Sequence, residues 1–309
     1  MRVGNWSRAP SREGGKTVRT PSGLRTRQRH AKAPAGKPDW LSDMTPEPQL
    51  DMLWESVDPA AALTSRFGFP DAKGAAGWIA ETLEEAWALH VESCDRLVIS
   101  ASKLLLWLTV EEKRVIAKCA VDPPLFAKLA EVDALTAWLD GEGIPVAAPI
   151  AATDGRIRVE RGGSSLGLYP VVSGELLDVD DANQVETAGR MLATLHQALA
   201  AYPLPFAGER PGAGRQLVHG DFRSANILHD SAGITAILDF DEASYRSRAA
   251  ELAQSAVLLG TRYHDWRPTS PATRQAYVFA YNEVSPLTRA QRNEYDRGVT
   301  AVSEHFGWT

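Results

Sequence analysis

Apolar positions along the chain follow two rhythms. Leu83, Ala86, Trp87 and Leu89 recur at helical spacing, which predicts a helix over 78–91. A helix over 54–69 precedes it, with a Pro- and Gly-marked turn at 68–77 between the two. From Leu97 the rhythm shortens. Segments 97–102, 103–110 and 114–121 read as three antiparallel strands, the last two a hairpin around the turn at 111–113. A helix over 125–139 follows, ended by 141–146, and then strands over 156–160 and 166–172 flank the turn Gly162-Gly163. Val185, Ala188, Leu192, Leu195 and Leu199 mark an amphipathic helix over 184–199. Short apolar segments around Val218, Ile227-Leu228 and 235–238 read as buried strands. Helices over 252–260, 271–282 and 288–306, punctuated by Pro268, Pro271 and Pro286, complete the pattern.

Polar chemistry concentrates at the ends of the short buried segments. His219-Gly220-Asp221 opens one polar cluster, Asn226 follows Asp221 by five positions, and Asp239 ends the next apolar run. This is the H-x-D-x-x-x-x-N spacing of a kinase catalytic loop, followed by a carboxylate where such enzymes grip magnesium. The combination answers the charge problem of phosphoryl transfer from ATP. One carboxylate, Asp221, can align an attacking hydroxyl and accept its proton. An amide and a second carboxylate, Asn226 and Asp239, offer the hard oxygen atoms that Mg2+ requires. Upstream, Val115-Ile116-Ala117-Lys118 is a shuffled form of Val-Ala-Ile-Lys, which makes Lys118 the candidate for the α and β phosphates. Its ion-pair partner is expected on the next helix at Glu131, because Leu135 and Leu139 repeat beside it; Asp133 is the alternative. Arg223, two residues after Asp221, is placed to stabilise the moving phosphoryl group.

The His-Gly-Asp form of the loop resembles the aminoglycoside phosphotransferase-like superfamily of small-molecule kinases, which also includes choline kinases, macrolide kinases and one type of homoserine kinase. The likeness runs from about Leu97 to Glu251 and is strongest over 217–253. It implies an α+β, two-lobed protein-kinase-like fold: an N-terminal antiparallel-sheet lobe over 44–172 that binds nucleotide, and a mostly helical catalytic and substrate-binding lobe over 173–309. It also implies that backbone groups of Pro170–Val172 face adenine, with Val172 the donor since proline has no N–H. One departure is plain. The turn Ser100-Ala101-Ser102 contains no glycine, so Ser100 and Ser102 become the candidate phosphate caps. Glu251-Leu252-Ala253 stands where the family has Asp-Leu-Ala, which anchors the catalytic loop. His196 matches a family position before that loop and reads as packing or as a support behind the catalytic groups rather than a catalytic group. The C-terminal helices would build the substrate site, with Asp265, Glu283, Glu294, Tyr263, Trp266, Tyr277 and Tyr281 as candidates.

Charge and composition narrow the partners. Residues 1–43 hold ten Lys or Arg against three acids; removing these from the chain's 33 and 39 leaves 23 basic and 36 acidic residues, a charge of −13. An acidic body argues against nucleic acid as the main partner and mildly favours a cationic small-molecule substrate bearing a hydroxyl. The first 43 residues, rich in Arg, Gly, Pro and Ser, are expected to be a disordered, dispensable tail, with Met44 or Met52 as alternative starts. The tail lacks the apolar stretch of a secretory signal. The best apolar run, 104–110, is far too short to span a membrane. Cys94 and Cys119 suit neither a disulfide framework nor a metal spacing, consistent with a reducing cytoplasm. The substrate, the choice between an antibiotic-type and a metabolic amino-alcohol kinase, and the oligomeric state are left open, with a catalytically silent nucleotide binder as the third reading.

Overall fold

Alternation along one strand sets the orientation of the N-terminal lobe. The computed structural model describes residues 47–208 and 212–308; the tail expected over 1–43 lies outside the described residues. In β3 (Lys103–Val110), Leu104, Leu106, Leu108 and Val110 are buried, while Lys103, Leu105, Trp107 and Thr109 on the other face are only partly so. β3 lies antiparallel between β2 (Val91–Ile99) and β4 (Lys113–Ala120). The β3–β4 connection is Glu111-Glu112, both at positive φ (48° and 63°), the primed-turn geometry that matches strand twist. β6 (Ser164–Pro170) pairs with β4, β5 (Val159–Arg161) with β6, and β1 (Gln49–Met52) adds a parallel strand outside β2. The sheet order is β1-β2-β3-β4-β6-β5.

Helix α1 (Ala72–Trp87) covers the buried face through Ala75, Ala76, Ile79 and Leu83. It begins at Ala72, earlier than the apolar pattern suggests, because the Asp71 carboxylate accepts the Gly74 N–H at 2.6 Å and caps the first turn. It stops at Ala88, in the left-handed region, so Val91 opens β2 instead of closing the helix. The helix expected over 54–69 is reduced to a turn at Pro59–Ala62 and a π-helical turn at Leu63–Phe67.

A second core fills the C-terminal lobe. α3 (Ala182–Ala201) and α5 (Pro271–Val284) approach so closely that a Cβ on Gly189 would collide with the Tyr277 carbonyl. α4 (Arg248–Leu258) is almost wholly buried, and α6 (Arg289–Phe306) packs outside it with its N-terminus closed by a Thr288–Gln291 capping box. Two small sheets complete the lobe, β7 (Glu175–Leu176) with β9 (Ile227–Asp230) and β10 (Gly233–Ile237), and β8 (Gln216–Val218) with β11 (Ser244–Arg246).

Helix α2 (Pro123–Gly141) links the two cores. Val132, Leu135 and Leu139 pack with α3, whereas Phe126 and Leu129 cluster with Ala120 of β4. Beyond it, Val146 bridges Ile237, and the Ile237 N–H donates to the Pro145 carbonyl at 2.8 Å. The expected α+β, two-lobed architecture is the one observed, with the polar cluster at the seam.

Candidate active site

The loop after β8 is shaped by one buried carboxylate. Glu251 on α4 accepts the backbone N–H groups of Gly220 and, at 3.3 Å, His219, and its Oε2 lies 2.6 Å from His196 Nε2. His196 Nδ1 in turn meets the Tyr281 hydroxyl at 2.7 Å. Desolvation works against the Glu251 charge, but His196, His219 and the Gly220 N–H outweigh it and hold its pKa below the usual carboxylate value. Glu251 therefore anchors the loop, and His196 supports it from α3. Gly220 sits at φ 90°, and a Cβ there would collide with the Glu242 carbonyl, so the tight approach of the loop to the following segment excludes a side chain.

His219 joins the loop to the next strand end. Its Nδ1 accepts the Asp221 N–H at 3.1 Å, which leaves the ring proton on Nε2 for the Leu238 carbonyl at 3.0 Å. The ring packs on Phe240 at 4.4 Å between centroids. Asn226 makes the second link, since its carbonyl accepts the Leu238 N–H at 2.8 Å.

These contacts gather the polar trio. Asn226 Nδ2 donates to Asp221 Oδ2 at 2.8 Å and to the Asp221 carbonyl at 2.9 Å. Arg223 Nε donates to Asp221 Oδ1 at 2.8 Å, so both carboxylate oxygens are oriented from within the loop. The Arg223 guanidinium also reaches the Thr261 carbonyl at 3.4 Å and lies 5.1 Å from the Trp266 ring centroid. Asp239 follows Leu238 in a left-handed conformation (φ 60°, ψ 71°) and turns its half-exposed side chain into the cleft. Crowding desolvates the carboxylate, yet Lys103, Lys118, His219 and Arg223 together lower its pKa.

The opposite wall is the free face of the sheet. Lys118 lies directly across from Leu105 on β3 and Gly167 on β6, and so shares a face with Lys103. Gly167 leaves the room that the Tyr169 ring occupies, and the Lys118 ammonium rests 4.6 Å from that ring's centroid. The Tyr169 hydroxyl hydrogen-bonds Asp133 on α2, and Arg158 Nε donates to the same carboxylate at 3.0 Å. Burial pushes the Asp133 pKa up against the pull of Arg158 and the Tyr169 hydrogen bond. A narrow cleft runs between these groups and Asp239.

Glu131, chosen from sequence as the partner of Lys118, does not face this cavity. Positions two apart on an α-helix point about 200° apart, so Glu131 and Asp133 cannot share a side. Glu131 accepts the Ala207 N–H at 2.5 Å, and Asp133 is the acid that lines the cleft. Its carboxylate is taken up by Arg158 and Tyr169 rather than by Lys118.

Ser100 is buried, and its hydroxyl is used by its own turn, at 3.2 Å from both the backbone N–H and the carbonyl of Lys103. Ser102, at the tip, is half-buried. Pro170 ends β6 opposite Val115, and the Val171 N–H is spent on the Arg114 carbonyl at 3.1 Å. Val172 follows outside the strand. Of the C-terminal candidates, Tyr277 and Tyr281 are core residues, Glu283 pairs with Arg190 at 2.9 Å, and Asp265 pairs with Arg267. Glu294 is half-buried on α6. Tyr263 and Trp266 lie by the cleft: Asp239 and Asp221 add to the partial burial that raises the Tyr263 pKa, and Trp266 carries Arg223.

Three cleft residues escaped the sequence reading: Lys103, Arg158 and Tyr169. Lys103 was detectable, because strict alternation with Leu104, Leu106 and Leu108 assigns it to the face of Lys118 once the hairpin register is drawn. Lys103 Nζ lies 3.9 Å from Asp239 Oδ1 and contacts the Asp241 carboxylate. Burial moves its pKa down to about 8, with Lys118 and Arg158 acting in the same direction and Asp239 against them.

Comparisons with known proteins bear on the family and the fold. The model of the phosphotransferase enzyme family (APH) matches residues 98–215 and 209–295. A homoserine kinase of Neisseria meningitidis serogroup B is 24% identical over 199 residues, 51% of this chain and 63% of that enzyme, so the chain spans less than two thirds of the relative's length. Among solved structures, spectinomycin phosphotransferase APH(9)-Ia with ADP and spectinomycin superposes with a TM-score of 0.55 at 13% identity, over 74% of this chain and 85% of that one. The macrolide 2'-phosphotransferase MphH of Brachybacterium faecium gives 0.53 at 16% identity, over 74% and 90%. With the family match running across both lobes and through the Asp221 loop, the chain belongs to the phosphotransferase enzyme family.

Proposed function

We propose that the protein transfers the γ-phosphoryl group of ATP, with Mg2+, to a hydroxyl of a small molecule. The observation that carries this reading is the convergence of Asp221, Asn226 and Asp239 through the Asn226–Asp221 and Leu238–Asn226 hydrogen bonds. Asp221, oriented by Arg223 and Asn226, aligns the acceptor hydroxyl and takes its proton as the new bond forms. Lys118 holds the α and β phosphates, and Val172 supplies a backbone donor to adenine at the junction between a nucleotide-binding lobe up to 172 and a catalytic lobe from 173. The Arg223 guanidinium, while its Nε holds Asp221, also offsets the charge of the phosphoryl group.

The donors present fit magnesium. Among the described residues no group of three or more His, Cys, Asp or Glu side chains could hold a metal alone. Asp239 and the Asn226 side-chain oxygen are hard donors, and Asn226 Oδ1 accepts no hydrogen bond among the described residues. One or two such protein oxygens completed by phosphate and water are what Mg2+ takes in kinase sites. Bound there, it neutralises phosphate charge.

The acceptor is the open part of the proposal. An antibiotic-type substrate is supported by the fold likeness to the spectinomycin and macrolide enzymes, and by the acidic body, which suits a cationic compound. A metabolic amino alcohol is favoured by the 24% identity to homoserine kinase. The test is ADP release from Mg-ATP across aminoglycosides, macrolides, choline and homoserine, with Asp221→Ala as control. A hit abolished by the substitution supports the reading and identifies the class. Near-normal turnover in Asp221→Ala removes Asp221 as the base, and absence of ATP binding by the wild type removes the kinase reading.

A further inference from the structure

The hairpin that should cover the phosphates has little backbone to offer them. Ser100, Ala101 and Ser102 are the residues between its two strands. The Ser100 N–H is bound to the Lys103 carbonyl at 2.8 Å, and the Lys103 N–H to the Ser100 hydroxyl at 3.2 Å. None of the three loop residues is a glycine, so the tip cannot drape its amides over a ligand as a glycine-rich turn does. What the hairpin presents to the cleft instead is a side chain. Lys103, the first residue of β3, is only 14% exposed and points its ammonium at Asp239 and Asp241.

The electrostatic accounting of the cavity leaves this cation with a replaceable partner. Lys103, Lys118 and Arg158 face Asp133, Asp239 and Asp241. Arg158 and Asp133 are committed to one another at 3.0 Å. That leaves Asp239 and Asp241, which Lys103 contacts while Lys118 rests on the Tyr169 ring, and Asp239 is the carboxylate assigned to magnesium. A metal on Asp239 leaves the sequestered Lys103 ammonium with Asp241 alone and with Lys118 on the same face, so a further anion beside it is favoured. The anion that arrives with the metal is the nucleotide's phosphate chain. Lys103 and Lys118 occupy neighbouring strands two positions out of register on one face, close enough to grip one triphosphate from two sides.

We infer that Lys103 is a second phosphate-binding lysine, which moves from the Asp239–Asp241 pair to the nucleotide's terminal phosphates and supplies the positive charge that this hairpin's backbone does not. The inference rests on the kinase reading above and assigns the recognition of the triphosphate end to a side chain outside the shared loop motif.

Calorimetric titration of ATP, ADP and adenosine, each with and without Mg2+, tests it on the wild type, Lys103→Met and Lys103→Arg. Loss of one charge-assisted contact should weaken Mg-ATP binding to Lys103→Met by about tenfold or more. ADP should lose less, adenosine nothing, and Lys103→Arg should retain most of the affinity. Unchanged adenosine binding certifies that the Met variant is folded; if it is not, the Arg variant together with Lys103→Gln carries the comparison. If Lys103 merely balances Asp239 and Asp241, its removal will leave Mg-ATP binding unchanged or tighten it, and the inference fails while the kinase reading stands. A wild type that binds no nucleotide overturns both.

Discussion

Replacing Glu251 by Gln changes one atom and should cost the fold a large part of its stability. Three N–H groups converge on the carboxylate, Gly220 on Oε1 and both His219 and His196 on Oε2. An amide presents one acceptor oxygen, so its NH2 must face at least one of those donors. With the oxygen at the Oε2 site, the Gly220 N–H is left opposite another donor in a site that is 1% exposed. Hydrogen bonds to a charged group contribute about 1.5–3 kcal/mol each, and a stranded buried donor costs about 1–3 kcal/mol, so a loss of roughly 3–5 kcal/mol is expected. Urea unfolding near pH 7.5 reads it as a lowered midpoint at similar slope. The pH dependence gives the second arm. Because the folded pKa lies below the unfolded one, the carboxylate's contribution is complete above the unfolded value of about 4.3 and fades as pH falls through the folded pKa. The gap between wild type and variant should therefore be flat from neutrality to about pH 5 and narrow only below that, by this linkage. A variant within about 0.5 kcal/mol of wild type at pH 7.5, the range of an ordinary surface change, would refute the anchoring role, as would a gap that widened in acid.

Two further substitutions probe neighbouring parts of the site. Asp133→Ala strands Arg158, whose side chain is 5% exposed, and should lower unfolding free energy by about 3–5 kcal/mol, whereas Glu131→Ala, which removes an exposed contact, should cost no more than about 1 kcal/mol; equal losses in urea titrations would reverse the assignment of the two acids. Gly220→Ala forces a Cβ against the Glu242 carbonyl in a left-handed conformation that alone costs about 1–2 kcal/mol, so a lowered Tm and loss of turnover are expected, and wild-type behaviour in calorimetry would deny the strain.

The sequence disclosed the site unevenly, for reasons visible in particular residues. Asp221, Asn226 and Asp239 were legible because the loop folds locally: two backbone-linked segments carry all three, and their spacing survives translation into space. Lys118 was legible through a strand motif. The acid across from it was not, because α2 is apolar on several sides, with Phe126, Leu129, Val132, Leu135 and Leu139 all buried, and no single stripe tells which acid turns inward. Arg158 and Tyr169 reach the cleft through pairings between distant strands, and Tyr169 needs Gly167 to make space for it. Such dependencies exist only in the assembled sheet. The early start of α1 reflects the Asp71 cap overriding a stretch that glycines had marked as turn.

The stitch between Val146 and Ile237 bears on how the protein could be taken apart. The residues just after α2 hydrogen-bond to the strand that delivers Asp239, and α2 itself contributes Val132, Leu135 and Leu139 to the core shared with α3. Cutting the chain after residue 172 would not release two self-sufficient pieces. The first would carry a bare oily helix, and the second would miss one side of its interior. Fragments produced separately should be insoluble or molten and should recover nucleotide binding only when co-expressed, while a cut at the Glu111-Glu112 turn, which interrupts no such seam, should be better tolerated.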